Sequence, residues 1–416
     1  WLGASTAKDS LPSDWQLKSV REIGEIKTGP FGTLLKAAEY SGLDGVPLIS
    51  VGEIGPGYFK VTATTPMVPA EVVRRLPQYV LRTGDIVFGR KGAVDRSALV
   101  SESQNGWFLG SDGISVRPSD RCHPPYLACQ FQRPPVQRWL LQNASGTTMP
   151  SLNQDVLSRV VIPYPPLAEQ HAIAVALSDV DALLAKLDEL IAKKRDLKQA
   201  AMQQLLAART RLPGFCGEWE VKSFDELFSF RNGVNADKSA YGQGIPFINV
   251  LEPITHSHLF GHEIAGRVQL REPVAAPYVV RYGDVVFNRT SETQEEVGLA
   301  ATYVGTERVV FGGFVIRGRP TIATLDPIYS GYALRSPLIR KQLIPMGQGA
   351  IRANIGQDSL ARVVAAVPPL AEQRAIAAVL SDMDQDLAAL EARRDKLVAL
   401  KQGMMQELLT GRIRLV

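Results

Sequence analysis

His123-Pro124-Pro125-Tyr126 is the stretch of this chain that comes nearest to a catalytic motif. It is similar to the tetrapeptide of amino-methyltransferases, whose first residue accepts a hydrogen bond from the target amino group. Histidine suits that role poorly, and the second copy, Asp326-Pro327-Ile328-Tyr329, reads as a structural turn before a helix. Gly55-Pro56-Gly57 is a short turn, and TGPFGTLLK from Thr28 lacks the Gly-Lys-Ser/Thr of a phosphate loop. In GDIVFGRK, Asp85 and Lys91 could suggest a nuclease, but a single carboxylate without an acidic partner defines no metal site. Its repeat, GDVVFNRT, has no lysine, so the aspartate reads as turn chemistry before a buried strand. Cys122, Cys129 and Cys216 form no CxxC, and with only five histidines they make neither a disulfide framework nor a zinc site. The expectation is a chain with no catalytic residue, no metal ligand and no cofactor of its own.

The elements that carry these residues are ordinary. A chain of 416 residues, 45% hydrophobic and 21% charged, is globular and long enough for two or more domains. No apolar run approaches the roughly 18 residues of a membrane span, and WLGASTAKDS at the start lacks the regions of a signal peptide, so no membrane partner is expected and the cytoplasm is the expected location. The net charge of +4 is a weak hint of nucleic-acid binding. It is thinly spread: residues 11–166 hold 16 Lys and Arg against 13 Asp and Glu, residues 211–368 hold 16 against 15, and 167–210 and 369–416 balance. A DNA reader of this composition has to place its basic residues in a few loops.

An internal repeat organises the whole chain. IPYPPLAEQHAIAVALSDVDALLAKLDEL from Ile162 returns as AAVPPLAEQRAIAAVLSDMDQDLAALEAR from Ala365, 203 positions later. DWQLKS around Trp15 matches EWEVKS around Trp219, GVPLISVGEI matches GIPFINVLEP, GDIVFGR matches GDVVFNR, and LNQDVLSRVV matches IGQDSLARVV. Two units of about 200 residues imply a pseudo-two-fold molecule. Each begins with short β-rich runs punctuated by Gly, Pro and Asn, followed by a helical patch, which is an α/β or α+β pattern. After the paired prolines come some 40 residues without proline, rich in Ala, Leu, Lys and Glu, which predict one long helix. The domain reading is a tail at 1–10, globular domains at 11–166 and 211–368, and long helices at 167–210 and 369–416.

The second helix places Ile376, Leu380, Met383, Leu387, Leu390, Leu397, Met404 and Leu408 on a coiled-coil spacing, with Arg394 and Lys401 in two slots that break it. The first keeps the seam through Ile173, Leu177, Val180, Leu184, Leu187 and Ile191 and slackens at Lys193, Lys194 and Arg195. Chain topology favours an antiparallel pair. Between the units, Arg211 to Trp219 has the Pro and Gly of a helix stop and domain entry.

These marks, PPLAEQ before a long helix at Pro165 to Gln170 and again at Pro368 to Gln373, the opening LPSDWQLKS and the GDIVF segment, resemble the specificity subunit of a Type I restriction–modification system over almost the whole chain. The resemblance implies two target-recognition domains, each reading one half of a split, asymmetric double-stranded DNA site. It implies that the paired helices act as spacer and as docking surface for two methyltransferase subunits, with endonuclease/translocase subunits outside. S-adenosylmethionine, ATP and Mg are then expected on the partners. Glu169, Gln170, Glu372 and Gln373 follow prolines at a helix start, where helix capping suffices to explain them and a part in the methyltransferase interface is the further expectation.

Under that resemblance, specificity comes from side chains reaching base edges while basic groups hold phosphates. The two halves share framework segments and differ in loops. In the first domain the candidate DNA-binding residues are Lys27, Thr28, Phe31 and Lys36, then Arg90 and Lys91, then Ser145, Thr147, Thr148 and Asn153. In the second they are Arg231, Asn232, Asn235 and Lys238, then Asn288, Arg289 and Thr290, then Gln348, Arg352 and Asn354. Two other readings stand beside this one: a recognition module of a fused restriction enzyme–methyltransferase, and a coiled-coil scaffold that binds no DNA. The scaffold leaves the differing loops unexplained.

Overall fold

In the computed structural model the described residues are 11–40, 44–146, 148–322, 325–349 and 352–415. The tail at 1–10 and Thr147 lie outside them. The chain divides into two compact units, Trp1–Asp188 with Arg393–Val416, and Glu189–Ala392. Both cuts fall inside the long helices, Leu167–Leu205 and Leu370–Leu408, because each unit holds the start of one helix against the end of the other. Each helix has 39 residues, about 58 Å at 1.5 Å per residue.

In the first unit, strand Gln16–Ser19 pairs antiparallel with Val161–Tyr164, so the domain's entry and exit meet at the root of the long helix. Between them lies a four-stranded antiparallel sheet in the order Gly24–Thr28, Gly113–Pro118, Ile86–Gly89, Ser97–Leu99. A three-stranded sheet holds Met67–Val68, Val46–Ile49 and Phe108–Leu109, the last pair parallel. Every residue of Ile86–Gly89 is buried, which is why its sequence is a continuous apolar run without alternation. Phe88 and Ile114 pack with Leu127, Phe131, Trp139 and Leu140 from helices Pro124–Phe131 and Pro134–Asn143.

The second unit repeats the plan. Glu220–Ser223 pairs with Val364–Val367, and a five-stranded sheet runs Phe228–Asn232, Val315–Pro320, Val285–Asn288, Ala300–Tyr303, His258–Leu259. Helices Pro327–Ala333 and Pro337–Leu343 complete it. The aspartates that open the two central strands accept the same set of hydrogen bonds. Asp85 accepts from the backbone N–H of Arg82 and from both prongs of Arg117, and Asp284 from the backbone N–H of Arg281 and both prongs of Arg319. Turn chemistry accounts for part of each; the ion pair of the buried carboxylate with an arginine is the other part.

The helix pairing within each unit shows why the seam slackens. In the first unit, Lys401 donates to Asp181 at 2.5 Å and Arg394 to Asp188 at 2.5 Å, so the two slots that break the apolar repeat hold ion pairs across the helices. In the second, Lys198 meets Asp384, the counterparts of Lys401 and Asp181, while Lys194 reaches Asp386 at 2.8 Å and Arg195 reaches Glu391 at 2.5 Å. Such exposed pairs contribute little stability and fix the register and direction of the partner helix instead.

PPLAEQ is a structural motif: Glu169 and Glu372 stand in the first turn of their helices, and the last two residues of the motif also make long-range contacts. The side chains of Glu169, Gln170, Glu372 and Gln373 are all buried. Glu169 accepts from the Trp15 indole N–H at 2.9 Å and from Arg414 at 2.6 and 2.8 Å; Glu372 accepts from the Trp219 indole at 3.1 Å and from Arg211. Gln170 donates to the Pro165 carbonyl and accepts from the backbone N–H of His123, and Gln373 does the same with Pro368 and Asp326. The motif thus fastens each long helix to its own globular domain. Arg211 and Arg414 are 203 positions apart, so in the first unit the last described residues of the chain occupy the seat that the linker occupies in the second.

The same equivalence exposes one strained residue. Gly411, at φ +76°, ends the second long helix, and its counterpart Ala208 adopts φ +52°, a conformation that costs a residue with a Cβ roughly 1–2 kcal/mol. Ala208→Gly should therefore raise the stability of the second unit by about 0.5–1 kcal/mol, the relief being partly offset by the freer unfolded chain. Urea unfolding followed in that unit checks it; an unchanged or lower midpoint rejects it.

Candidate nucleic-acid interface

The three loops expected to touch DNA come together in each unit around one arginine at the end of the central strand. In the first unit the Arg90 backbone N–H donates to the Asp112 carbonyl at 2.7 Å, and its carbonyl accepts from Leu152 N–H at 2.7 Å. Its guanidinium donates to the Ser111 carbonyl at 3.4 Å and lies 5.5 Å from the centre of the Phe31 ring. In the second unit Arg289 donates from its backbone to the Phe314 carbonyl at 2.9 Å, accepts from Ile355 at 2.9 Å and sends its guanidinium to the Gly313 carbonyl at 3.2 Å. Two loops of distant sequence are thus pinned to one residue.

The first loop approaches closely because it carries glycine. A Cβ at Gly29 would stand 1.7 Å from the Gly110 carbonyl oxygen, and at Gly233 2.0 Å from that of Gly312. In the first unit Gln154 then donates to the Thr28 hydroxyl at 2.9 Å, and Lys91 bridges to Ser151 and pairs with Asp112 at 3.1 Å. In the second, the Thr290 hydroxyl donates to Asn354 at 2.7 Å, and Arg352 lies 3.6 Å from Glu292. Both ion pairs are solvent-exposed and worth little in water, so phosphate oxygens can replace their carboxylates at small cost. A groove of about 460 Å³ opens beside Thr290, Glu292, Phe314 and Arg352.

Thr28, Phe31, Arg90, Lys91, Ser145 and Thr148 therefore lie at one edge of the first unit, as Asn235, Arg289, Thr290, Gln348, Arg352 and Asn354 do in the second, where Gln348 and Asn354 form an antiparallel bridge. Asn232 ends the strand leading there, whereas Arg231 points to the other face of that sheet by strand alternation. Lys27 also turns away from Thr28, its ammonium 5.6 Å from the Tyr79 ring centre. Lys36 and Lys238 are exposed beside short 3-10 turns at Ala37–Tyr40 and Lys238–Ala240.

Two of the candidates have structural roles. Asn288 is fully buried as the last residue of the central strand, and its amide donates to the Glu296 carbonyl at 3.0 Å, so it shapes the loop from within. Asn153 is a helix N-cap, its carbonyl oxygen accepting from the Val156 N–H at 2.8 Å. Asn153→Ala should cost the first unit about 1 kcal/mol and Asn153→Asp almost nothing, as urea melts would show; equal losses would remove the capping role. Sequence reasoning passed over Gln154, Met149 and Phe314. The last two are apolar, yet 59% and 52% exposed in the clustered loops, and the signal available was their place in segments that differ between the repeats.

The HPPY segment is the start of a helix. The His123 backbone is held by Gln170, the Tyr126 hydroxyl donates to the Pro163 carbonyl at 3.0 Å, and burial, with His171 beside it, holds the His123 imidazole below the usual histidine value. In the second copy Asp326 caps the helix by accepting from Ile328 and Tyr329. Among the described residues no cluster of three or more His, Cys, Asp or Glu is placed to hold a metal ion.

A family model described as the Type I restriction modification DNA specificity domain matches residues 12–194. The putative type I restriction enzyme MjaX specificity subunit of Methanocaldococcus jannaschii is 23% identical over 97% of this chain and 95% of its own length. The EcoKI specificity subunit of Escherichia coli K12 is 24% identical over 97% and 89%. Residues 12–194 thus match a type I DNA specificity domain, and nearly the whole chain is similar to type I restriction–modification specificity subunits. A chain from a solved type I restriction–modification system has the same fold, with a TM-score of 0.60 at 19% identity, covering 97% of this chain and 99% of that chain. Specificity subunits recognise the DNA target and work with methyltransferase and restriction subunits, in which the catalysis resides. The internal repeat places the same arginine-centred frame in the second unit. No helix among the described residues is long and apolar enough to cross a membrane.

Proposed function

We propose that each unit reads one half of a split, asymmetric DNA site with the loops gathered at Arg90 or Arg289, and that the subunit thereby directs adenine methylation and restriction by its partners. The observation that carries this reading is the pairing of one frame with two sets of tips: identical anchoring hydrogen bonds surround the two arginines, while Phe31, Lys91 and Asp112 in one unit stand where Asn235, Thr290 and Phe314 stand in the other. A frame kept constant beneath different side chains suits two readers of different sequences. A scaffold without DNA has no use for it.

In this reading two methyltransferase subunits bind along the paired helices and endonuclease/translocase subunits join outside them. S-adenosylmethionine, ATP and Mg act on those partners, and the complex works in the cytoplasm. The test is methylome sequencing of a methylation-free host that expresses this chain with its neighbouring methyltransferase subunit, beside a host lacking this chain. The expected result is methyladenine at one split motif with a constant spacer, absent from the control. Unmodified DNA in both hosts, although the proteins form a soluble complex, would reject the reading and favour the scaffold.

A further inference from the structure

The loop between Ser145 and Ser151 and the loop between Gln348 and Asn354 have equal lengths and lie 203 positions apart. Each is closed by a reciprocal pair of backbone hydrogen bonds, at 2.9 and 2.7 Å in the first and 2.9 and 2.8 Å in the second. Each turns at a glycine with positive φ, Gly146 at +98° and Gly349 at +130°. A loop so tied at its neck presents its side chains from a fixed base. Three residues beyond each glycine stand Met149, 59% exposed, and Arg352, whose side chain is 57% exposed and lies 3.6 Å from an exposed carboxylate, that of Glu292.

An exposed methionine in one reader and an exposed arginine in the matching place of the other is a change of chemistry on a constant frame. Arg90 and Arg289, being alike in both units and spent partly on loop carbonyls, cannot tell two half-sites apart. We propose that position 149/352 determines specificity: Arg352 selects a guanine in the half-site of the second unit, and Met149 favours a thymine in that of the first. The guanidinium fork donates to guanine O6 and N7 together, whereas a thioether side chain forms no such pair and gains by apolar contact with the thymine methyl. This inference rests on the proposed reading of DNA by these loops.

The experiment compares wild type, Arg352→Lys, Arg352→Met and Met149→Arg, each expressed with the partner methyltransferase subunit in the methylation-free host and scored by methylome sequencing. Arg352→Lys keeps the charge but loses the fork, so it and Arg352→Met should relax one guanine position, with discrimination falling roughly 5–150-fold. The other half-site should not change. Met149→Arg should alter only that other half-site. An unaltered motif in Arg352→Lys and Arg352→Met overturns the proposal, since Arg352 would then be a phosphate contact or a bystander. Where a variant leaves no methylation, binding of the purified complex to duplexes substituted one base pair at a time decides: the penalty at one guanine should vanish selectively, and a uniform loss across all duplexes overturns the proposal. Wild type that yields no motif would instead sink the DNA-reading function itself.

Discussion

Asp284→Ala should cost the second unit about 3–5 kcal/mol, the penalty of leaving buried cations without their anion. Asp284 is 2% exposed and accepts from Arg319 at 2.8 and 2.6 Å, while Arg317, 5% exposed, lies 3.9 Å away with a buried Nε that has no hydrogen-bond partner. Burial, and then the neighbouring Arg319, push the Arg317 guanidinium down to about 10. One carboxylate therefore holds two arginines inside the sheet. In the first unit the place of Arg317 is taken by Ser115, and Asp85 faces Arg117 alone. Arg117 is 36% exposed and can turn toward water, so Asp85→Ala should cost less, about 2 kcal/mol. Hydrogen exchange resolved by unit measures both. Equal losses in the two units would mean that Arg317 draws little from Asp284, and replacing Arg317 by Leu in the Asp284→Ala chain should recover part of the loss.

The contrast between these aspartates marks where sequence reasoning stops. The paired prolines and the proline-free apolar spacing after them made both long helices legible, because a helix's period and start signals are local. The loops were legible as places, since glycine, small polar and basic residues cluster in segments that differ between the repeats. Individual roles were not. Asn288 sits in FNRT beside true loop residues, but the strand runs one residue further and draws its amide inside. Asn153, a candidate base contact, is also an N-cap, a role that Ser or Asp would fill as well. Met149 and Phe314 escaped a filter tuned to polar groups. The arginines were hidden for another reason: Arg319, Arg211 and Arg414 meet their acceptors across 35, 161 and 245 positions, distances over which no periodicity carries information.

The last of these long-range contacts gives the second large effect. Glu169→Ala and Glu372→Ala remove the acceptor shared by a tryptophan and an arginine at the root of each long helix, leaving without that partner an indole N–H that is buried in Trp15 and half-buried in Trp219. The segments that these arginines hold down, residues 411–415 in the first unit and 211–217 in the second, should lose on the order of a hundredfold in hydrogen-exchange protection. The two losses should differ. Arg414 keeps Asp14, which it reaches at 3.0 and 2.9 Å and whose carboxyl it holds below the usual range, whereas Arg211 keeps only the Gly217 carbonyl at 2.8 Å. Glu372→Ala should accordingly loosen its segment more than Glu169→Ala does, and Asp14→Ala combined with Glu169→Ala should remove the difference. Gln170 and Gln373 still tie the first turn of each helix to its domain, so the globular sheets should keep their protection in both variants. Loss of exchange protection spread evenly through a whole unit would show that the glutamate supports the core, and protection unchanged at the arginine segments would show that the ring contacts of Arg414 with Trp15 and Arg211 with Trp219 suffice.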